Sequence, residues 1–217
     1  MSQVFHPAAN SIARISLAVG ALAAAVGLVL VLFVLPRSSY ATRQHEARDQ
    51  PVPFYHAHHV GSMGIECRYC HSTVDRSALA GIPPTKTCMN CHSQIWNQAP
   101  ALEPVRESWR TGKSIEWVKV YDLPDFVYFD HSAHVNNGVG CSTCHGRVDQ
   151  MPYIWQEPSL LMEWCLECHR EPERFLRPRS EVYDITYETP PDQLELGRRL
   201  ALEYDVDPQV SCSTCHR

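Results

Sequence analysis

The sequence predicts short α-helices joined by irregular segments, wrapped around covalently attached groups, with one transmembrane helix near the N-terminus. Three observations support this prediction: a C-x-x-C-H motif occurs five times, the segment 15–35 carries no charge, and a paired-histidine motif occurs twice. The 217 residues include ten cysteines and twelve histidines, and the net charge is -5. Because there is no basic surplus, the composition argues against a nucleic-acid partner.

The cysteines indicate what is attached. C-x-x-C-H is the attachment signature of c-type haem, in which the two thiols bond the haem vinyl carbons and the histidine binds the iron. The ten cysteines fall in five copies: Cys67/Cys70/His71, Cys88/Cys91/His92, Cys141/Cys144/His145, Cys165/Cys168/His169 and Cys212/Cys215/His216. A zinc site is the alternative, but it needs paired motifs at other spacings. We therefore predict five haem c groups with their iron, five proximal histidine ligands, and no catalytic residue.

The uncharged segment 15–35 is long enough to cross a hydrocarbon layer of about 30 Å. Ser39 and Ala41 have the small-residue spacing of a signal-peptide cleavage site. However, the apolar region exceeds the usual length of about 7–15 residues, so we expect an uncleaved anchor.

The charges flanking this segment do not give its orientation directly. Arg14 precedes it, whereas Arg37, Arg43 and Arg48 follow it, which by the positive-inside rule favours a cytoplasmic C-terminal part. Covalent haem attachment requires the outer face of the membrane instead. We therefore expect the haem region on the periplasmic face of the bacterial inner membrane, held by a single pass.

The rest of the chain is too short for a large apolar core around five haems, since the 182 residues after the apolar segment leave roughly 36 per haem. The predicted fold class is a multihaem cytochrome c, mostly coil with short α-helices. A helix is predicted near 191–204, where Leu196, Leu200 and Tyr204 share one stripe. The predicted segments are a cytoplasmic tail (1–14), the transmembrane helix (15–35), a linker (36–49), a first two-haem module with its connector (50–124), a second two-haem module (125–178) and a C-terminal extension with the fifth haem (179–217).

An internal repeat carries the paired histidines. The pattern F-x-H-x-x-H-V begins at Phe54 and again at Phe129, and each copy leads into a C-x-x-C-H motif. Histidines at i and i+3 of a helical turn project from one face, so one ring can bind its own module's iron and the other a neighbouring iron. Surface histidines are the alternative, but recurrence within a repeat argues against it. The predicted distal iron ligands are His56, His59, His131 and His134.

For the fifth distal ligand, we favour Met151 among three candidates. Met151 lies six residues after His145 and offers a thioether, which would raise that haem's potential; filling a gap beside a haem is its alternative role. His45 and His58 are the other two candidates. Separately, Arg68, Arg147 and Arg170 are candidates to pair with haem propionates, with solvated surface charge as the alternative.

The segments WVKVYDLPDFVYFDHSAHV, GVGCSTCHGRVDQMP and WCLECHR, the terminal CSTCHR and the single N-terminal membrane helix resemble the pentahaem cytochrome c subunit of alternative complex III. The paired-histidine modules also resemble class III, c7-like cytochromes. That second resemblance implies that His56 serves the His71 haem and His131 the His145 haem, while His59 and His134 reach to other haems.

The first resemblance implies electron transfer in a bacterial membrane complex that oxidises quinol. Menaquinol would be oxidised in a neighbouring integral-membrane subunit, and electrons would arrive through an iron–sulfur subunit. The acceptor would be a periplasmic monohaem cytochrome, a small copper protein or an oxidase.

Two other functions compete with this one. A stand-alone one-helix quinol dehydrogenase also has one anchor, but that class has four haems and lacks the duplicated paired-histidine modules. A catalytic multihaem enzyme such as a nitrite reductase usually carries a C-x-x-C-K motif, which this sequence lacks.

Overall fold

The computed structural model describes residues 4–216, which form two compact units, 4–43 and 44–216. Within the described residues there is no β-strand, only isolated bridges such as the one between Val139 and Leu176. The helices are α1 Ala9–Val29, α2 Ser39–Thr42, α3 Cys67–Cys70, α4 Thr85–His92, α5 Glu103–Thr111, α6 His131–Asn136, α7 Cys141–His145, α8 Met162–Arg170, α9 Gln193–Glu203 and α10 Cys212–Cys215. Short π- or 3-10 turns lie at Leu30–Val34, Leu35–Arg37, Ala57–Ser62, Pro100–Leu102, Val148–Gln150, Pro172–Arg174 and Arg179–Glu181.

The first unit is dominated by α1, which continues through the two short turns to Arg37. Over Ala9–Arg37 it is long and apolar enough to cross a membrane, and it is the one such helix among the described residues. Its apolar side chains are exposed within the chain, as expected for a helix whose surroundings are lipid rather than protein. A membrane anchor and a signal sequence both have this form.

The second unit has a small apolar interior. One cluster joins Val74, Val135 and Val182, and a second joins Val148, Met151 and Ile185. Val74, Val135 and Val148 come from segments next to C-x-x-C-H motifs, so the clusters tie these motifs to each other and to the segment around Val182. The helix α9 lies inside the predicted range 191–204.

Close backbone contacts also bring the motif-bearing segments together. A Cβ on Gly61 would lie 2.3 Å from the carbonyl oxygen of Asp149, so only glycine fits where the turn Ala57–Ser62 crosses the segment after α7. Nearby, the backbone amide of Ala57 donates to the carbonyl of Met151 at 3.3 Å. The first histidine pair is therefore held against the segment that follows the third motif.

Candidate haem-binding sites

Each C-x-x-C-H motif places its cysteines on a single helical turn. The turns are α3, the end of α4, α7, the end of α8, and α10. Residues at i and i+3 of a helix lie on the same face, so both thiols of a motif can reach one attached group. All ten thiols are free, as attachment to vinyl carbons requires.

Four of the five motif histidines face a histidine of the repeat. The ring centroids are 6.5 Å apart for His56 and His71, 6.2 Å for His59 and His92, 6.4 Å for His131 and His145, and 6.0 Å for His134 and His169. Two imidazoles that bind one metal from opposite sides at about 2 Å have ring centroids roughly 6 Å apart. The spacing of these four pairs therefore fits a six-coordinate haem iron between the rings.

The hydrogen bonds made by Nδ1, the ring nitrogen that would point away from the iron, also support iron ligation by these histidines. Nδ1 donates to a backbone carbonyl in seven of the nine histidines of the motifs and the repeat: His59 to Tyr55, His71 to Gly81, His92 to Ile95, His131 to Ala78, His134 to Asp130, His169 to Gln209 and His216 to Phe126, at 2.7–3.3 Å. Because a carbonyl only accepts, Nδ1 carries the proton and Nε2 keeps its lone pair. Metal-binding histidines typically show this arrangement.

Burial keeps several of these rings neutral. It lowers the pKa of His56 and of His145 to about 4, and it also lowers the pKa of His59 and His134. A histidine must be neutral to bind a metal, so these rings are suited to coordination near neutral pH.

The phenylalanine of each repeat orients both of its histidines, a role that sequence reasoning did not assign. Phe54 meets His56 edge-on at 4.8 Å and stacks on His59 at 4.4 Å. In the second copy, Phe129 meets His131 edge-on at 4.8 Å and stacks on His134 at 4.5 Å. The recurrence of phenylalanine two residues before each pair was the signal for this role.

The fifth motif has a different neighbourhood. The ring beside His216 is that of Phe126, at 5.8 Å, and the amide of Tyr128 donates to the carbonyl of Cys215 at 2.8 Å. Met151 is 2% exposed and packs against Val148 and Ile185.

The two alternative histidines also have neighbours of their own. His45 Nε2 lies 3.6 Å from a carboxylate oxygen of Glu157. His58 packs against His59 and lies over Trp96, with ring centroids 6.2 Å apart. The distal ligand opposite His216 therefore stays a prediction from the sequence.

The predicted propionate partners already contact protein groups or solvent. Arg68 pairs with Glu66 and lies over the ring of Tyr183, while Arg147 makes a two-point pair with Asp149. Arg170 is exposed at the end of α8.

Sequence reasoning missed Arg177, which is only 7% exposed. Its guanidinium donates to the hydroxyl of Ser142, inside the third motif, at 3.0 Å and lies 4.5 Å from the centroid of the Tyr187 ring. A Cβ on Gly140 would lie 2.2 Å from the guanidinium carbon, so the glycine before Cys141 makes room for this side chain. Burial lowers the pKa of Arg177.

Tyr121 is a second residue that the sequence did not single out. Its ring centroid lies 4.4 Å from that of His145, and its hydroxyl donates to the carbonyl of Cys144 at 3.1 Å. The same hydroxyl accepts from the amide of Glu157 at 3.0 Å. Burial raises the pKa of Tyr121 to about 12, so the hydroxyl stays protonated and holds the third motif against this loop.

The motifs, the short helices around them and the histidine pairs are those of a c7-like multihaem cytochrome domain, which confirms the predicted fold class. Residues 127–217 match the family model described as cytochrome c7 and related cytochrome c. Over 121 residues the chain is also 36% identical to the multiheme cytochrome c subunit of menaquinone reductase from Nitratidesulfovibrio vulgaris. That match covers 55% of this chain and 56% of the relative, so the chain spans about half the length of the curated relative it matches.

Proposed function

We propose that this chain is the electron-transfer subunit of a membrane-bound quinol:acceptor oxidoreductase and is not an enzyme on its own. The four histidine pairs with ring centroids 6.0–6.5 Å apart carry this proposal. An iron with a histidine on each side has no open position for a substrate, so such a centre exchanges electrons and does not activate a bound molecule.

The chain holds five haem c groups, each of which supplies one-electron exchange between ferric and ferrous iron when bound. The thioether bonds use Cys67, Cys70, Cys88, Cys91, Cys141, Cys144, Cys165, Cys168, Cys212 and Cys215. The proximal ligands are His71, His92, His145, His169 and His216. The distal ligands are His56, His59, His131 and His134, in that order opposite the first four proximal ligands; Met151, His45 and His58 are the candidates opposite His216.

The subunit works beside integral-membrane and iron–sulfur partners, as the pentahaem subunit of alternative complex III does. Three features support this: the duplicated paired-histidine modules, the apolar helix Ala9–Arg37, and the similarity to a multihaem subunit of another quinone-linked complex. The helix is a retained anchor, and residues 44–216 lie on the periplasmic side. Electrons leave to a periplasmic cytochrome, a small copper protein or an oxidase.

The cofactor content is tested on the full chain produced with a c-type maturation system. We expect an intact mass that corresponds to five haems, a reduced spectrum of low-spin c-type haem, and carbon monoxide binding by no more than a minor share of the haem. Fewer than five attached haems, or carbon monoxide binding by most of them, would contradict the proposal.

The purified chain alone distinguishes the subunit from a stand-alone quinol dehydrogenase. We expect no turnover of a soluble menaquinol analogue, since one helix offers a poor quinol pocket. Turnover at the rate of an intact membrane complex would favour the stand-alone function.

The similarity to a menaquinone reductase subunit favours a second candidate, in which electrons flow toward the quinone. Rapid mixing of the membrane complex separates the two directions. In quinol oxidation, menaquinol reduces the oxidised haems and the periplasmic acceptor reoxidises them. In quinone reduction, the prereduced haems are oxidised by menaquinone.

The ligand opposite His216 can be found with three single variants, Met151→Leu, His45→Ala and His58→Ala. The substitution that removes the ligand makes one haem of five reactive toward carbon monoxide, and the other two serve as its controls.

A further inference from the structure

The loop 72–81, which follows the first motif, contacts histidines of two different sites. The carbonyl of Gly81 accepts from Nδ1 of His71 at 2.7 Å, and the carbonyl of Ala78 accepts from Nδ1 of His131 at 2.8 Å. His71 belongs to the first motif, whereas His131 faces His145 of the third motif. One loop of ten residues therefore fixes one imidazole in each of two sites.

This loop is held in one conformation from inside. The hydroxyl of Thr73 bonds the carbonyls of Leu79 at 3.1 Å and Ala80 at 3.2 Å, which closes the loop on itself. Gly81 has a φ of +81°, a left-handed conformation that favours glycine. The two carbonyls that reach the histidines are thus parts of a single rigid turn.

The loop is also fixed to helix α6, which carries His131. The side-chain amide of Asn136 donates to the carbonyl of Asp75 at 2.8 Å, and the amide of Ser132 donates to the carbonyl of Ser77 at 3.2 Å. On the buried side, Val74 packs against Val135 of the same helix. A displacement of the loop therefore reaches both histidines together.

The two ligand pairs that this loop touches share a ring geometry that the other two lack. The ring planes of His56 and His71 differ by 3°, and those of His131 and His145 by 12°. The planes of the other two pairs differ by 65° and 54°. The angle between axial imidazole planes affects the electron paramagnetic resonance of low-spin ferric haem, so the two groups can be told apart.

We propose that the loop 72–81 is a positioning element that orients one imidazole at each of two neighbouring haem sites and so couples the properties of those sites. The inference rests on the ligand assignment under the proposed function. When Nδ1–H of a ligating histidine donates to a carbonyl, the bond fixes the ring orientation and tunes the basicity of the ligating nitrogen. The loop can therefore influence the midpoint potential of each of the two haems.

The test is Thr73→Val in the haem-loaded full chain, because it removes the hydroxyl that closes the loop and leaves every ligand in place. Thr111→Val is the matched control, since its hydroxyl donates to the carbonyl of Glu107 at 2.7 Å in α5 without holding a ligand-bearing loop. The readouts are the ferric resonance spectrum and a potentiometric titration. We expect the two parallel-plane signals and two of the five midpoint potentials to shift together, with the control like wild type.

A second variant, Asn136→Ala, keeps the test available where Thr73→Val impairs maturation. It releases the loop from α6 and is expected to shift the same two signals. Unchanged signals, a shift confined to one site, or equal shifts at all five haems would overturn the inference. Haem count and the low-spin optical spectrum are measured on the same samples, so a failure of the ligand assignment is seen separately as missing or high-spin haem.

Discussion

Replacing Gly197 with alanine tests how closely helix α9 must approach the segment that follows the fourth motif. A Cβ at this position would lie 1.8 Å from the carbonyl oxygen of Glu173 and 2.6 Å from its carbonyl carbon. The same carbonyl accepts a hydrogen bond from the side chain of Gln193 at 2.9 Å. The added methyl group therefore forces the helix away from the turn Pro172–Arg174 by about 1 Å, since core side chains leave few voids.

The expected loss of stability follows from these contacts. Overpacking costs roughly 1–3 kcal/mol, and the weakened hydrogen bond from Gln193 to the carbonyl of Glu173 adds about 1 kcal/mol. Alanine recovers roughly 0.5–1 kcal/mol because glycine is the poorer helix residue. We expect a net destabilisation of about 2 kcal/mol, measured as a lower guanidinium midpoint at unchanged slope while the haem absorbance of the loaded chain is followed.

Arg198→Ala is the control for this measurement, because Arg198 is exposed on the same helix. A surface change of this kind shifts stability by less than about 0.5 kcal/mol. A Gly197→Ala chain that unfolds at the same or a higher denaturant concentration than wild type would refute the close packing of α9 on this turn.

Three further predictions concern the sites themselves. Tyr121→Phe leaves the half-buried carbonyl of Cys144 and the half-buried amide of Glu157 without their shared hydroxyl partner and should lower the free energy of unfolding by about 1–3 kcal/mol. Tyr153→Phe removes a hydroxyl whose bond to the hydroxyl of Tyr55 is exposed, so it should change that free energy by far less, and equal losses would contradict this account. His134→Ala should make one haem of five bind carbon monoxide, seen as a partial change in the reduced spectrum; an unchanged spectrum would remove His134 from the ligand set. Arg177→Gln should weaken the contact with Ser142 and lower the midpoint temperature of unfolding of the haem-loaded chain. The control Arg170→Gln changes an exposed side chain and should leave that temperature unchanged. A midpoint temperature unaffected by Arg177→Gln would contradict a structural role for its guanidinium.

Much of the fold and part of the site follow from local sequence. The C-x-x-C-H motifs, the apolar span and the helix near 191–204 are signals within short windows, and the corresponding elements are present in the structure. The sequence also indicates which histidines face the motif histidines, because His56/His59 and His131/His134 recur within a repeat.

Other features depend on contacts between residues far apart in the chain. Arg177 reaches Ser142 from 35 positions away, and no pattern around it indicates that it is buried. The acceptor of the hydrogen bond from His131 is the backbone carbonyl of Ala78, which every residue type has, so the residue type at position 78 does not indicate this bond. Such contacts become visible only after the loops have been placed in three dimensions.

The two histidines of each repeat are oriented by different kinds of contact, and this difference accounts for the ring angles. The second histidine is fixed within its own turn: His59 stacks on Phe54 with planes 24° apart, and His134 stacks on Phe129 with planes 27° apart. Each of them also donates to the carbonyl four residues earlier. Because these constraints recur with the repeat, the crossed geometries of 65° and 54° recur as well.

The first histidine of each repeat depends on more distant parts of the chain. Nδ1 of His131 donates to the carbonyl of Ala78 in the loop 72–81, whereas Nδ1 of His56 is buried without a hydrogen-bond partner among the described residues. When the outer N–H of an imidazole donates a hydrogen bond to a carbonyl, the other ring nitrogen becomes a stronger electron donor to iron. Under the proposed ligand assignment, His131 is therefore the more basic distal ligand of the two, although the ring planes are nearly parallel in both pairs, and the two repeats are not equivalent electronically.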